Sequence, residues 1–184
     1  GATTYDEDGV KIPAAAISTK GANLLSDLLH HQQKHAIKFF FKQACKTLPD
    51  TTSYNVVGQI WGSEHPDKFI VVGGHLDSWD LAEGAHDDSA GIMQSVEALR
   101  LLKTLSYKPK NTIRVVFFIN EENGDKGGMQ YAELAARNRE RYIAAIESDL
   151  GGFTPRGFGF DGLSSASLQH VKTDWGRRLA PYGS

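Results

Sequence analysis

The sequence predicts an α/β fold with a largely parallel sheet. Near-continuous apolar runs (KFIVVGGH, TIRVVFFIN and YIAAIES) have the composition of strands covered on both faces. Segments with apolar residues at helical spacing lie between them, and strands alternating with helices build parallel sheets. Each of these strands also runs out into His, Asp or Glu.

The elements follow in chain order. Lys20 to about Gln33 places Leu24, Leu25, Leu28 and Leu29 on one helical stripe. AIKFFFKQ and YNVVGQIWG predict strands, with residues 50–53 as the turn between them, and KFIVVGGH predicts a buried one. Asp88 to about Leu105 is the clearest helix. Ile92, Val96, Leu99 and Leu102–Leu105 recur on one face, and Asp87, Asp88 and Ser89 supply N-terminal capping chemistry. TIRVVFFINEE is the second buried strand. GGMQYAELAARNRERY is a helix whose expected inner face carries Met129, Ala132 and Leu134–Ala136. YIAAIESDLGG is a third buried strand, and SSASLQHVKTDWGRRLA a final helix.

Composition narrows the function. With 184 residues the chain can bury a real core, and 40% hydrophobic with 23% charged residues is ordinary for a globular protein. A formal charge of −2 argues against nucleic acid or an anionic membrane as the main partner, and no apolar run reaches the length of a membrane span. GATTYDEDGVKIP shows no basic or apolar region of a signal peptide. The single cysteine, Cys45, excludes an intramolecular disulfide and has the setting of a small packed residue.

The chemistry concentrates in VVGGHLDSWDLAEGAHDDSAG, residues 71–91. One strand ends in His75 and Asp77, a second in Glu121 and Glu122, a third in Asp149, while Asp87 and Asp88 open a helix. Function in open α/β sheets collects outside the carboxyl ends of strands. Carboxylates gathered there repel one another unless a cation is present, and neither residues 73–91 nor 120–124 hold Arg or Lys. A bound metal is the natural compensation, with zinc the first choice and manganese or cobalt the alternatives. Taken singly, the same residues have plainer readings: Asp87 and Asp88 as helix caps, Glu121–Glu122 and Asp149 as turn residues, His75 as a structural histidine. His30, His31 and His35 suit a solvated face and His65 a turn. His86 could face the site as a substrate or metal contact. No G-x-S-x-G nucleophile motif occurs.

The blocks GGHLDSWD, GAHDDSAG, FFINEENG and IESDLGG, in this order, resemble those of the two-zinc exopeptidase family of the bacterial leucyl aminopeptidases and carboxypeptidase Q. GGHLDSWD and GVKIPAAAIS look most like the carboxypeptidase Q branch. The resemblance implies a three-layer sandwich in which helices cover both faces of a mostly parallel mixed sheet, the zinc-dependent exopeptidase (phosphorylase/hydrolase-like) fold. It implies that residues 1–19 are the tail of an inserted protease-associated domain and residues 20–184 a partial peptidase domain. One zinc ion would be held by His75, Asp87 and Asp149. A second would be bridged by Asp87 and held by Glu122. Glu121 would be the general base, and Asp77 would accept a hydrogen bond from the far nitrogen of His75. A cis peptide is expected between Asp87 and Asp88.

The family also has a late His ligand. The only histidine after Asp149 is His170, in a helical pattern, so the chain is expected to be an internal fragment, incomplete at its C-terminus. Its own activity stays open, and it is expected to hold about one zinc or none. The implied function is hydrolysis of terminal peptide bonds or dipeptides by metal-activated water. A non-catalytic relative of the fold and a two-metal amidohydrolase acting on non-peptide amides are the alternatives. Expected partners are a peptide or dipeptide substrate and, as an open alternative, a second copy. The location implied is secreted, periplasmic or lysosomal.

Overall fold

The computed structural model describes residues 12–31, 36–44, 46, 48–149, 151–154 and 157–182, so Cys45, His35 and residues 1–11 lie outside the described residues. The chain divides into two compact units, Gly1–Thr52 and Ser53–Ser184.

In the first unit, helix α1 spans Thr19–His31. The Ser18 hydroxyl starts it by accepting from the Gly21 N–H at 3.1 Å. The strand expected over AIKFFFKQ is absent: residues 36–43 are irregular, and Phe39 and Phe40 are exposed. Apolar, β-prone composition alone does not make a strand, since the backbone also needs a ladder partner.

The second unit is built on a four-stranded sheet of order β1-β3-β2-β4. The strands are β1 (Val56–Ile60), β2 (His65–His75), β3 (Asn111–Phe118) and β4 (Arg141–Glu147). β2 is parallel to β3 and β4, while β1 runs antiparallel to β3, so the sheet is mixed and mostly parallel, as expected. His65 opens β2 instead of forming a turn. The buried apolar centre is Phe69 and Val71 of β2 with Val115 and Val116 of β3. β4 differs from its expectation. Its sequence has the composition of a buried strand, yet all seven residues are exposed, because among the described residues it pairs with β2 alone.

Helices lie on both faces. α2 (Ser89–Thr104) packs on β2 and β3 through Gly91, Ile92, Ser95, Val96, Leu99 and Leu102, while Leu105 is the exposed C-cap. α3 (Lys126–Arg137) meets the opposite face, with Tyr131 edge-on to Phe118 at 5.5 Å. Its inner side is Gly127, Tyr131 and Ala135; of the expected face only Ala135 turns inward, while Met129, Ala132, Leu134 and Ala136 are exposed. The reason is polar. Tyr131 reaches Arg114, whose side chain is 11% exposed and whose guanidinium also bonds Gln59 and Glu140 while lying 4.1 Å from the centre of the Phe69 ring. α3 ends earlier than expected, because Arg139 turns with φ +54° and the chain enters β4 at Arg141. α4 (Ser165–Leu179) starts on Ser164, and its Trp175 packs edge-on against Phe158 and Phe160. Among the described residues no helix is long and apolar enough to cross a membrane.

Candidate metal centre

β2 and β3 end side by side, with His75 opposite Phe118, and β4 ends beside Gly73. That register delivers His75, the Glu121–Glu122 turn and Asp149 to one edge of the sheet, while Asp87 arrives from the loop leading into α2. Ligand atoms of His75, Asp87 and Asp149 lie within 4.8 Å of one another, the only such group of three or more among the described residues.

His75 is 1% exposed and held on three sides. Its backbone N–H donates to Asp88 Oδ2 at 3.0 Å. Its Nδ1 donates to the Asp77 carbonyl at 2.8 Å, which turns Nε2 toward Asp87 Oδ1 at 2.9 Å and Asp149 Oδ1 at 3.2 Å. Glu121 Oε2 stands 3.9 Å from the same nitrogen. Burial opposes charging this imidazole. The Asp77 carbonyl and the carboxylates of Glu121, Asp149 and Asp88 outweigh it and raise the pKa to about 9. A proton on Nε2 and a metal ion are thus alternative occupants of one position.

The acids bear the mark of crowding. Burial raises the Glu121 pKa, and the negative charges of Asp149, Asp125 and Asp77 add to it. Burial, with Asp87 and Glu121, does the same to Glu122. Glu122 Oε1 is buried without a hydrogen-bond partner. Such an orphaned acceptor beside other carboxylates fits a cation. Glu122 stands outside the three-residue group, so the geometry of a second ion is not drawn by these distances.

Two residues do work that the sequence did not disclose. Asp77 does not bond His75 through its carboxylate, which is 3.9 Å from Nδ1; the backbone carbonyl takes that role. The carboxylate instead accepts from the Glu121 N–H at 3.0 Å and the Glu122 N–H at 3.3 Å, so it fixes the turn that aims both glutamates. Asp88 was expected to cap α2, and it does so through the Gly91 N–H at 3.1 Å, but its other oxygen also holds the His75 backbone. The Gly73–Gly74 pair was the signal available for this. A Cβ on Gly74 would stand 1.9 Å from Asp88 Oδ2, so glycine marks where the carboxylate must approach. The peptide between Asp87 and Asp88 is cis, as the resemblance implies.

His86 is not among the grouped ligands; its Nδ1 accepts from the Gly152 N–H at 3.2 Å. It lines a cavity of about 320 Å³ with Asp87, Asp149, Gly151 and Phe153, which opens on the two clustered aspartates. His170 lies within α4.

Residues 55–183, nearly all of the second unit, match peptidase family M28. Human carboxypeptidase Q is 44% identical over 161 residues, covering 87% of this chain and 34% of its own length. The rat protein of the same name is 43% identical over the same span. The crystal structure of a peptidase M28 precursor from Shewanella amazonensis superposes with a TM-score of 0.66 at 37% identity, covering 80% of this chain and 33% of that one. The chain spans about a third of the length of these relatives. Its sequence, its sheet and the match over residues 55–183 together place the chain in peptidase family M28.

Proposed function

We propose that this chain carries the metal-holding part of a zinc-dependent exopeptidase that hydrolyses terminal peptide bonds or dipeptides. The observation that carries the reading is the convergence of His75, Asp87 and Asp149 on one point, with Glu121 Oε2 3.9 Å from the shared imidazole nitrogen. His75, Asp87 and Asp149 make three protein ligands of the types that suit catalytic zinc, and Asp87 with Glu122 would hold a second ion. Bound there, zinc supplies Lewis acidity toward a carbonyl oxygen and lowers the pKa of water.

The remaining chemistry belongs to the chain. Glu121 has its pKa raised by burial and by neighbouring acids, which suits a group that accepts a proton from the attacking water and returns it to the leaving amine. Asp77 holds that glutamate's backbone, so Oε2 stays beside the ligands instead of swinging with the turn. Residues 1–19 are read as the tail of an inserted protease-associated domain and residues 20–184 as a partial peptidase domain.

Glu121→Gln and Glu122→Ala in the full-length chain separate the two glutamates. Glu121→Gln should lower turnover by about 10²–10⁴-fold or more with metal content unchanged, since a base is not a ligand. Glu122→Ala should lose metal. Equal metal loss in both would overturn the assignment. A panel of dipeptides, amino-terminal p-nitroanilides and acylated amides then identifies the scissile bond.

A further inference from the structure

The three segments that supply His75, Asp87 and Asp149 are held unequally. His75 ends a central strand and is fixed at its backbone and at Nδ1. Asp149 follows β4, the strand whose residues are all exposed. Just before Asp149 the chain is tied twice: Ser148 N–H donates to the Gly73 carbonyl at 3.2 Å, and Ser148 Oγ donates to Gln94 Oε1 at 2.9 Å. Just after it, the Gly152 N–H donates to His86 Nδ1, and the Phe153 ring stacks on the imidazole at 5.1 Å and 20°. The loop lies against the first turn of α2, where a Cβ on Gly152 would be 3.3 Å from Ala90 Cβ.

His86 immediately precedes Asp87. The bond from Gly152 and the stack on Phe153 therefore join the loop carrying one ligand directly to the loop carrying another. We propose that His86 is a positioning residue: by bracing residues 152–153 it sets the separation of Asp87 and Asp149, and so the metal affinity of the site. The inference rests on the metal reading above. Its physical basis is that Asp87 and Asp149 repel each other when no cation is bound, and both are substantially exposed. A loop whose carboxylate is 40% exposed relieves that repulsion by moving outward and must be pulled back and ordered when metal binds. The His86 brace meets that ordering cost in advance.

Asparagine places Oδ1 as many bonds from Cα as histidine places Nδ1, so His86→Asn keeps the acceptor while His86→Ala removes both acceptor and stack. The test is zinc affinity of the full-length protein by chelator competition, with the visible spectrum of the Co²⁺-loaded protein as a second readout. His86→Ala should bind about 10–100-fold more weakly and shift the Co²⁺ bands. His86→Asn, which keeps the acceptor but loses the ring stack, should recover part of the affinity. Affinity and spectrum of His86→Ala equal to the parent's would overturn the proposal, as would His86→Asn binding as weakly as His86→Ala. If circular dichroism shows that His86→Ala does not fold, Phe153→Ala decides, since Phe153 is 83% exposed and its loss leaves the core intact. Weaker binding by Phe153→Ala supports the brace; unchanged binding sinks it. A parent protein that takes up no metal would be a different failure, one that overturns the metal reading and this inference with it.

Discussion

Replacing Asp88 by Ala removes a carboxylate that is 1% exposed and accepts from two backbone N–H groups, those of His75 at 3.0 Å and Gly91 at 3.1 Å. Hydrogen bonds to a charged acceptor contribute about 1.5–3 kcal/mol each, so the two together hold roughly 3–6 kcal/mol. Part of this is offset in the parent, because burial raises the Asp88 pKa and the ionised form is held at a cost. A net loss of about 2–4 kcal/mol remains. A domain of this size loses about 2–4 °C per kcal/mol, which gives a fall of roughly 5–15 °C in Tm. Thermal melts followed by far-UV circular dichroism, with chelator present to remove any ligand contribution, measure it. Asp88→Asn retains one acceptor oxygen and should fall in between. An Asp88→Ala melt within about 2 °C of the parent would refute the reasoning, since it would mean that neither bond contributes to stability.

Asp77→Ala should leave the Glu121–Glu122 turn without its acceptor and lower turnover of the full-length enzyme by about 10–100-fold, measured as kcat beside zinc content; unchanged kcat would remove Asp77 from the positioning of Glu121. Arg114→Met strips partners from Gln59, Tyr131 and Glu140, and should destabilise the second unit by about 1–3 kcal/mol in urea titrations while chelator competition shows zinc affinity unchanged. Loss of affinity equal to the loss of stability would show that this cluster, four residues short of His75 in the β2 register, reaches the site.

The clustering of His75, Asp87 and Asp149 was legible because their chemistry is costly. His75, Asp87 and Asp149 sit beside apolar strands with no nearby Lys or Arg in sequence, and such acids advertise a cation more strongly than a fold. Parallel strands β2 and β3 were legible for the same reason, as apolar runs too continuous for a half-solvated sheet. What escaped was pairwise. Composition cannot say that β4 pairs with β2 alone among the described residues, because YIAAIES looks the same with one neighbour or two. The Tyr131 face of α3 won over Met129 and Leu134 because a half-buried arginine on β3 offered a partner for its hydroxyl, a fact that resides in another element. The second role of Asp88 likewise depends on a glycine opposite it on β2.

The strand order also sets a timetable. β2 lies between β3 and β4, and both neighbours follow it in the chain. β2 ends at residue 75 and β4 at residue 147, and at about 5–20 residues per second a ribosome delivers the second roughly 4–14 s after the first. Through that interval Phe69 and Val71 have no complete sheet to enter, and the nascent chain presents them to whatever chaperone or neighbouring chain is at hand. Asp149 emerges two residues after β4, so the three-residue group of His75, Asp87 and Asp149 is complete only once the four described strands have been synthesised.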